Sequence, residues 1–133
     1  MSEKIEGRAE ELLQAKNFCQ VSTLRSDGSI HGVPVWVDVQ QGIPVLNSAE
    51  GRGWVRNVER DPRVTLTIQN MENPYEYVEV RGRVVERTHE GADEHIDALA
   101  KKYLGVDEYP YRQPGEQRVI IRVAPEHTFL QQR

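Results

Sequence analysis

Two strand-like runs meet across a single tight turn near the start of the chain, and this limits what the rest can build. Residues 18–24 and 30–39 flank the segment RSDGS at 25–29. Asp27-Gly28 tolerates the positive φ values of a hairpin turn, so the two runs are expected to pair antiparallel. In the second run, IHGVPVWVDV, Val33, Val35, Val37 and Val39 form one apolar row, and Gly32, Pro34, Trp36 and Asp38 face the other way. Glycine has no side chain and proline no N–H, so Gly32 and Pro34 mark either a protected sheet edge or a place where a ligand approaches the backbone. Both readings stand at this level.

The remaining segments extend the same pattern. Ile5, Ala9, Leu12 and Leu13 recur at helical spacing within 3–16, which predicts an amphipathic helix. QQG at 40–42 turns the chain into a strand at 43–47, and a short helix is expected over 51–60, stopped by Pro62. Val64, Leu66 and Ile68 alternate with polar residues as a half-buried strand. A long strand at 75–87 contains Gly82, read as a bulge, and a helix over 90–104 ends at Gly105. A polar and aromatic loop leads to a last strand at 118–123. The expected fold is mostly β (α+β): a small antiparallel barrel of about six strands with three peripheral helices. With 133 residues and no repeat or linker, residues 1–133 read as a single domain.

Charge and motif content exclude several functions. A net charge of −4 provides no chain-wide positive field, so nucleic acid and anionic membranes are poor partners. The N-terminus lacks an apolar leader core and no run is long enough to span a bilayer, which predicts a cytoplasmic protein. Cys19 reads as a small buried hydrophobe. His31, His89, His95 and His127 show no metal-ligand spacing, so no metal site is expected. Nucleophile elbow, phosphate loop and dinucleotide fingerprint are all missing, and the paired carboxylates lie in polar helical stretches. No catalytic side chain is expected.

The segment EGRGWVRNVERDPRV, 50–64, carries four arginines. On a helix Arg52 and Arg56 fall about 40° apart, opposite Trp54, Val55 and Val58. Asn57 adds a neutral donor. Two guanidinium forks at a helix start suit a phosphate, contributing roughly 5 kcal/mol with the dipole, whereas micromolar binding needs about 8. The balance would come from an aromatic ring lying on the face of Gly32, Pro34 and Trp36. The alternative is that Glu59 takes both arginines into surface ion pairs worth under about 1 kcal/mol. Arg60 and Arg63, beside Asp61 and Pro62, read as structural.

The ordered segments VSTLRSDGSIHGVPVWV, GRGWVRNVERDPRVTLTI, VEVRGRVVE and LAKKYLG resemble the pyridoxamine 5′-phosphate oxidase-like flavoprotein superfamily, and within it the actinobacterial deazaflavin-dependent (F420-dependent) reductases. The strongest match is Arg56-Asn57 with Asp61-Pro62-Arg63-Val64. The resemblance implies a split β-barrel homodimer with cofactor sites between subunits. It places a cofactor phosphate at Arg52, Arg56 and Asn57 with Asn47, Ser48 and Ala49, and the ring along Val33, Pro34, Val35 and Trp36. It implies an oxidoreductase moving a hydride between coenzyme F420 or FMN and a small-molecule substrate, with a non-catalytic flavin, deazaflavin or haem carrier as the alternative. Substrate is expected near Tyr109, Tyr111 and Arg112, unless that loop is purely structural. Many similar proteins carry lysine where this chain has Trp54, which bears on cofactor affinity and on the choice between FMN and F420.

Overall fold

The hairpin at the turn Asp27-Gly28 forms as expected. In the computed structural model, which describes residues 3–132, β1 (Cys19–Leu24) and β2 (Ile30–Val35) pair antiparallel with Leu24 opposite Ile30. The Asp27 carboxylate accepts hydrogen bonds from the Ser29 N–H at 2.9 Å and its hydroxyl at 2.6 Å, and Gly28 adopts a φ of +86°.

The other strands are β3 (Asp38–Gln40), β4 (Ile43–Ala49), β5 (Arg63–Gln69), β6 (Tyr77–Thr88) and β7 (Arg118–Gln131). They form one antiparallel sheet in the order β2-β1-β5-β6-β7-β4-β3, curled into a half-barrel. Three helices, α1 (Gly7–Gln14), α2 (Gly53–Arg60) and α3 (Ala92–Leu104), lie around it. Alternation places Val21, Leu66, Ile68, Val78, Val80, Ile121 and Val123 inside, where Leu12 and Leu13 of α1 and Trp54, Val55 and Val58 of α2 join them. Each such side chain, fully buried, contributes about 1.5–3 kcal/mol to the driving force for collapse.

Seven strands form rather than about six, because the run 30–39 is broken. Val37 bonds to α3 instead of a neighbouring strand: its N–H donates to Tyr103 Oη at 3.2 Å and its carbonyl accepts from Lys102 Nζ at 2.7 Å. Side-chain alternation continues through the break, so the pattern carried no sign of it. The break sends β2 to one edge of the sheet and β3 to the other. β7 also runs to Gln131, beyond the expected end at 123. Gly82 does mark a register shift, and a Cβ there would sit 2.2 Å from the Ala124 carbonyl oxygen, so only glycine permits that approach. Among the described residues no helix is long and apolar enough to cross a membrane.

Candidate functional site

The site begins where β4 hands over to α2. Gly51, at φ +92°, makes the turn, with the Arg52 N–H reaching the Ala49 carbonyl at 3.3 Å. The helix starts at Gly53, not Gly51, with Arg52 in the cap position and no side chain capping the first turn. Its free N–H groups and the positive end of the helix dipole therefore coincide with an arginine.

The acid expected to neutralise this end is engaged elsewhere. Glu59 pairs with Arg87 at 2.9 Å, and Glu50 pairs with both Arg87 and His89. Neither Arg52 nor Arg56 has a side-chain hydrogen bond or ion pair among the described residues, and both are exposed. The surface ion-pair reading is thereby displaced.

Beside Arg52 lies a cleft of about 420 Å³, lined by Pro34, Val35, Trp36, Asn47, Ser48 and Arg52 together with Phe18, Tyr109, Tyr111 and Arg118. Its aromatic wall is ordered by ring contacts. Trp36 stacks on Tyr103 at 5.2 Å and 5°, Tyr109 meets Trp36 edge-on at 5.9 Å, and Tyr111 meets Tyr109 edge-on at 5.7 Å. Burial pushes the Tyr103 phenol up to about 12, so it stays neutral while its hydroxyl donates to the Asn17 carbonyl at 2.7 Å. Asp97 fastens the late loop by accepting from the Tyr109 N–H at 2.8 Å and from Arg112 at 2.8 Å, and Asp93 takes the other arm of Arg112 at 3.0 Å. Tyr109 and Tyr111 thus reach the cleft, whereas Arg112 clamps the loop to α3.

The floor is a buried polar chain. Asn47 Nδ2 donates to the Ala92 carbonyl at 2.9 Å and to His95 Nδ1 at 3.0 Å, and Asn47 Oδ1 accepts from Arg118 Nε at 3.0 Å. Arg118 also bonds Glu116, and its guanidinium lies 5.0 Å from the centre of the Tyr109 ring. Burial alone would push the Glu116 carboxyl up, but the bond from Arg118 and one from the Gln113 N–H hold it below its ordinary value.

Of the residues singled out from the sequence, Pro34, Val35, Trp36, Asn47, Ser48 and Arg52 come together in the cleft. Four do not line it. Val33 turns its side chain toward the core, and Ala49 is buried opposite Arg118. Arg56 sits one turn further along α2. Asn57 is buried, donating to Thr23 Oγ1 at 3.0 Å and accepting from Arg60 at 3.1 Å. Trp54, which stands in place of a lysine common in similar proteins, is 3 % exposed and belongs to the core, so its side chain does not reach the cleft. Arg118 and Phe18 were not foreseen as lining residues; the available signal for Arg118 was a charge opening the apolar run Val119–Ile121. Among the described residues no cluster of His, Cys, Asp and Glu could hold a metal ion. Cys19 is buried in the core, and burial pushes its thiol up, far from a reactive thiolate.

The family described as pyridoxamine 5′-phosphate oxidase matches residues 5–132. A solved F420 reductase superposes with a TM-score of 0.81 at 25% identity, covering 94% of this chain and 98% of its own. A conserved hypothetical protein from Mycobacterium tuberculosis shares the fold at a TM-score of 0.72 and 19% identity, covering 98% and 88%. General stress protein 26 from Bacillus anthracis does so at 0.67 and 16%, covering 92% and 90%. No curated protein matches the sequence significantly.

Proposed function

The chain belongs to the pyridoxamine 5′-phosphate oxidase family, and from that premise we propose that it is an oxidoreductase transferring a hydride between a bound deazaflavin, coenzyme F420, and a small organic acceptor, with FMN as the alternative cofactor. One observation carries this reading: an arginine with no side-chain hydrogen bond or ion pair among the described residues caps an otherwise uncapped helix beside a cleft with an aromatic wall. The residues fit a phosphate-bearing planar group. A volume of about 420 Å³ lies within the usual ligand range of about 300–1,000 Å³. The F420 reductase likeness, at 25% identity over nearly both chains, supports the deazaflavin.

In this reading Arg52 grips the phosphate and Arg56 adds longer-range attraction from the next turn. Asn47 and Ser48 shape the floor beneath it, with Ala49 buried behind them. Val33, Pro34 and Val35 offer a flat strand edge to the ring, and Pro34 has no N–H that would need a partner there. Trp36, Tyr109 and Tyr111 keep water out, and Asn57 holds α2 in place from behind. When bound, the ring supplies the hydride chemistry. The cleft lining contains no carboxylate and no histidine, which supports a contribution from the protein through orientation and exclusion of water. The same observation favours the second reading, a non-catalytic carrier.

A homodimer with sites shared between subunits completes the proposal. Phe18 and Pro34 also border a second groove with Met71 and Tyr77, and Phe18 and Met71 are exposed large apolar side chains on that side. Sedimentation at micromolar concentration should show a dimer; a monomer would remove the shared site. The function is tested by titrating pure protein with F420 and, separately, FMN while recording the absorbance spectrum. A saturable spectral change with one of them supports the cofactor, and none with either refutes it. Enzyme and carrier then separate on reoxidation of the reduced complex by quinone-like or unsaturated acceptors, faster than free cofactor for an enzyme and no faster for a carrier.

A further inference from the structure

We propose that Arg118 is a second ligand-binding residue of the cleft, donating from its outer nitrogen to a carbonyl oxygen on the bound planar ligand. The inference rests on the reading of the cleft given above and adds to it a contact that neither the sequence nor the family match assigns.

A guanidinium carries five N–H groups in a rigid fork. In Arg118, Nε donates to Asn47 and Nη1 to Glu116, but Nη2 has no hydrogen-bond partner among the described residues. Nor is Nη2 one of the buried atoms left without a partner, although the residue is only 5 % exposed. Arg118 lines the cleft, so its outer edge opens there.

Its charge differs from that of Arg52. Glu116 is buried with it, the two side chains being 3 % and 6 % exposed, so the pair is close to neutral. A neutral pair with one spare donor suits a carbonyl, whose negative charge is partial, better than a phosphate. Phosphate belongs with Arg52, which feels Glu116 only through space and has no acid bonded to it.

The fork is also held in direction. Because the Asn47 amide nitrogen is committed to the Ala92 carbonyl and to His95 Nδ1, its oxygen must face Arg118. His95 Nδ1 accepts that bond, which places the imidazole proton on Nε2, 3.5 Å from Asp38 Oδ2. His95 and Asn47 are therefore positioning residues that aim Arg118 before any ligand arrives. A donor aimed in advance favours whichever state of the ligand carries more negative charge on the oxygen. The carbonyl belongs either to the cofactor ring or to the acceptor.

Two variants test this. Arg118→Lys keeps the charge beside Glu116 and loses the planar fork. The double variant Glu116→Gln with Arg118→Gln removes both charges together, so neither is left buried alone. Thermal melting confirms that each is folded, and oxidised and reduced F420 and FMN are then titrated into wild type and variants. With a ring carbonyl, the Kd of the reduced form rises about tenfold more than that of the oxidised form, equivalent to a fall of about 30 mV in the two-electron midpoint potential. With an acceptor carbonyl, cofactor affinities hold and the KM for a water-soluble quinone rises about tenfold at unchanged kcat. Folded variants within twofold of wild type in affinity, potential and KM overturn the assignment. Wild type that binds neither cofactor overturns the reading of the cleft, and this proposal with it; wild type that binds while the variants match it overturns only the role of Arg118.

Discussion

The two ends of α2 carry the same side chain in opposite circumstances. At its exit Arg60 donates to the Leu24 carbonyl at 2.7 Å and to Asn57, and Arg63 grips Asp61 at 2.7 Å, holding that carboxyl down to about 2. At its start Arg52 and Arg56 make no side-chain hydrogen bond or ion pair among the described residues: Arg87 takes Glu59 and shares Glu50 with His89, and Glu116, which feels the charge of Arg52, is bonded to Arg118. Composition cannot separate the two pairs, since all four arginines lie within fifteen residues. What separates them is whether the fold has already supplied the acceptors. Saturated arginines hold α2 to β1 and β5; unsaturated ones are left to recognise something from outside.

The comparison can be tested first where the effect is largest. Trp54 anchors the inner face of the helix, and Trp54→Ala should cost about 3–5 kcal/mol in urea unfolding; a loss below about 1 would mean that α2 is not docked as described. Next, Asn57→Ala should lower stability by about 1–3 kcal/mol by stripping Thr23 and Arg60 of a shared partner. Cofactor affinity of the folded variant should stay within twofold, and a larger loss would put Asn57 in direct contact with ligand. Arg52→Ala should weaken cofactor binding by about 1.5–3 kcal/mol while leaving the melting temperature of the ligand-free protein unchanged. The opposite pattern, a lower melting temperature with intact affinity, would move Arg52 into the saturated class.

A smaller effect tests the saturated class by pH. Arg8 of α1 forks onto Glu76 at 2.6 and 2.8 Å, and with Asn70 it draws that carboxyl from 4.5 to about 2. A carboxylate whose folded pKa is depressed adds stability above its unfolded value and loses it as the pH falls through the folded one. The gap in melting temperature between wild type and Glu76→Gln should therefore be full above 4.5 and close toward 2. A gap independent of pH would show that the pair does not act through charge.

Much of this was legible in the chain. Turn chemistry at Asp27-Gly28, alternation through Val64, Leu66 and Ile68, and the stripe Ala92, Ile96 and Leu99 ending at Gly105 are local signals, and local structure obeys them. The interruption at Val37 was not legible, because its cause is a tyrosine and a lysine more than sixty positions away. β7 was read short because Pro125 and the polar residues after it break alternation, while the register shift opposite Gly82 accommodates them. In the site, Pro34, Trp36 and Arg52 could be chosen by residue type. Arg118 could not, since a lone arginine at a strand start gains its meaning only when Asn47 of β4 and Tyr109 of the preceding loop are folded against it and its neighbour Glu116. Choosing between ion pairs and ligand for Arg52 needed the same long-range information, namely that Arg87 removes Glu59.

The central claim is that the arginines at the start of α2 are unsatisfied because a phosphate-bearing redox cofactor satisfies them. Calorimetric titration of wild type and of the Arg52→Ala/Arg56→Ala double variant with F420 and FMN addresses it directly. The account predicts micromolar binding of one cofactor to wild type and at least about a hundredfold loss in the double variant, equivalent to about 2.8 kcal/mol. Equal affinity in the two proteins, or no binding of either compound to wild type, would contradict it.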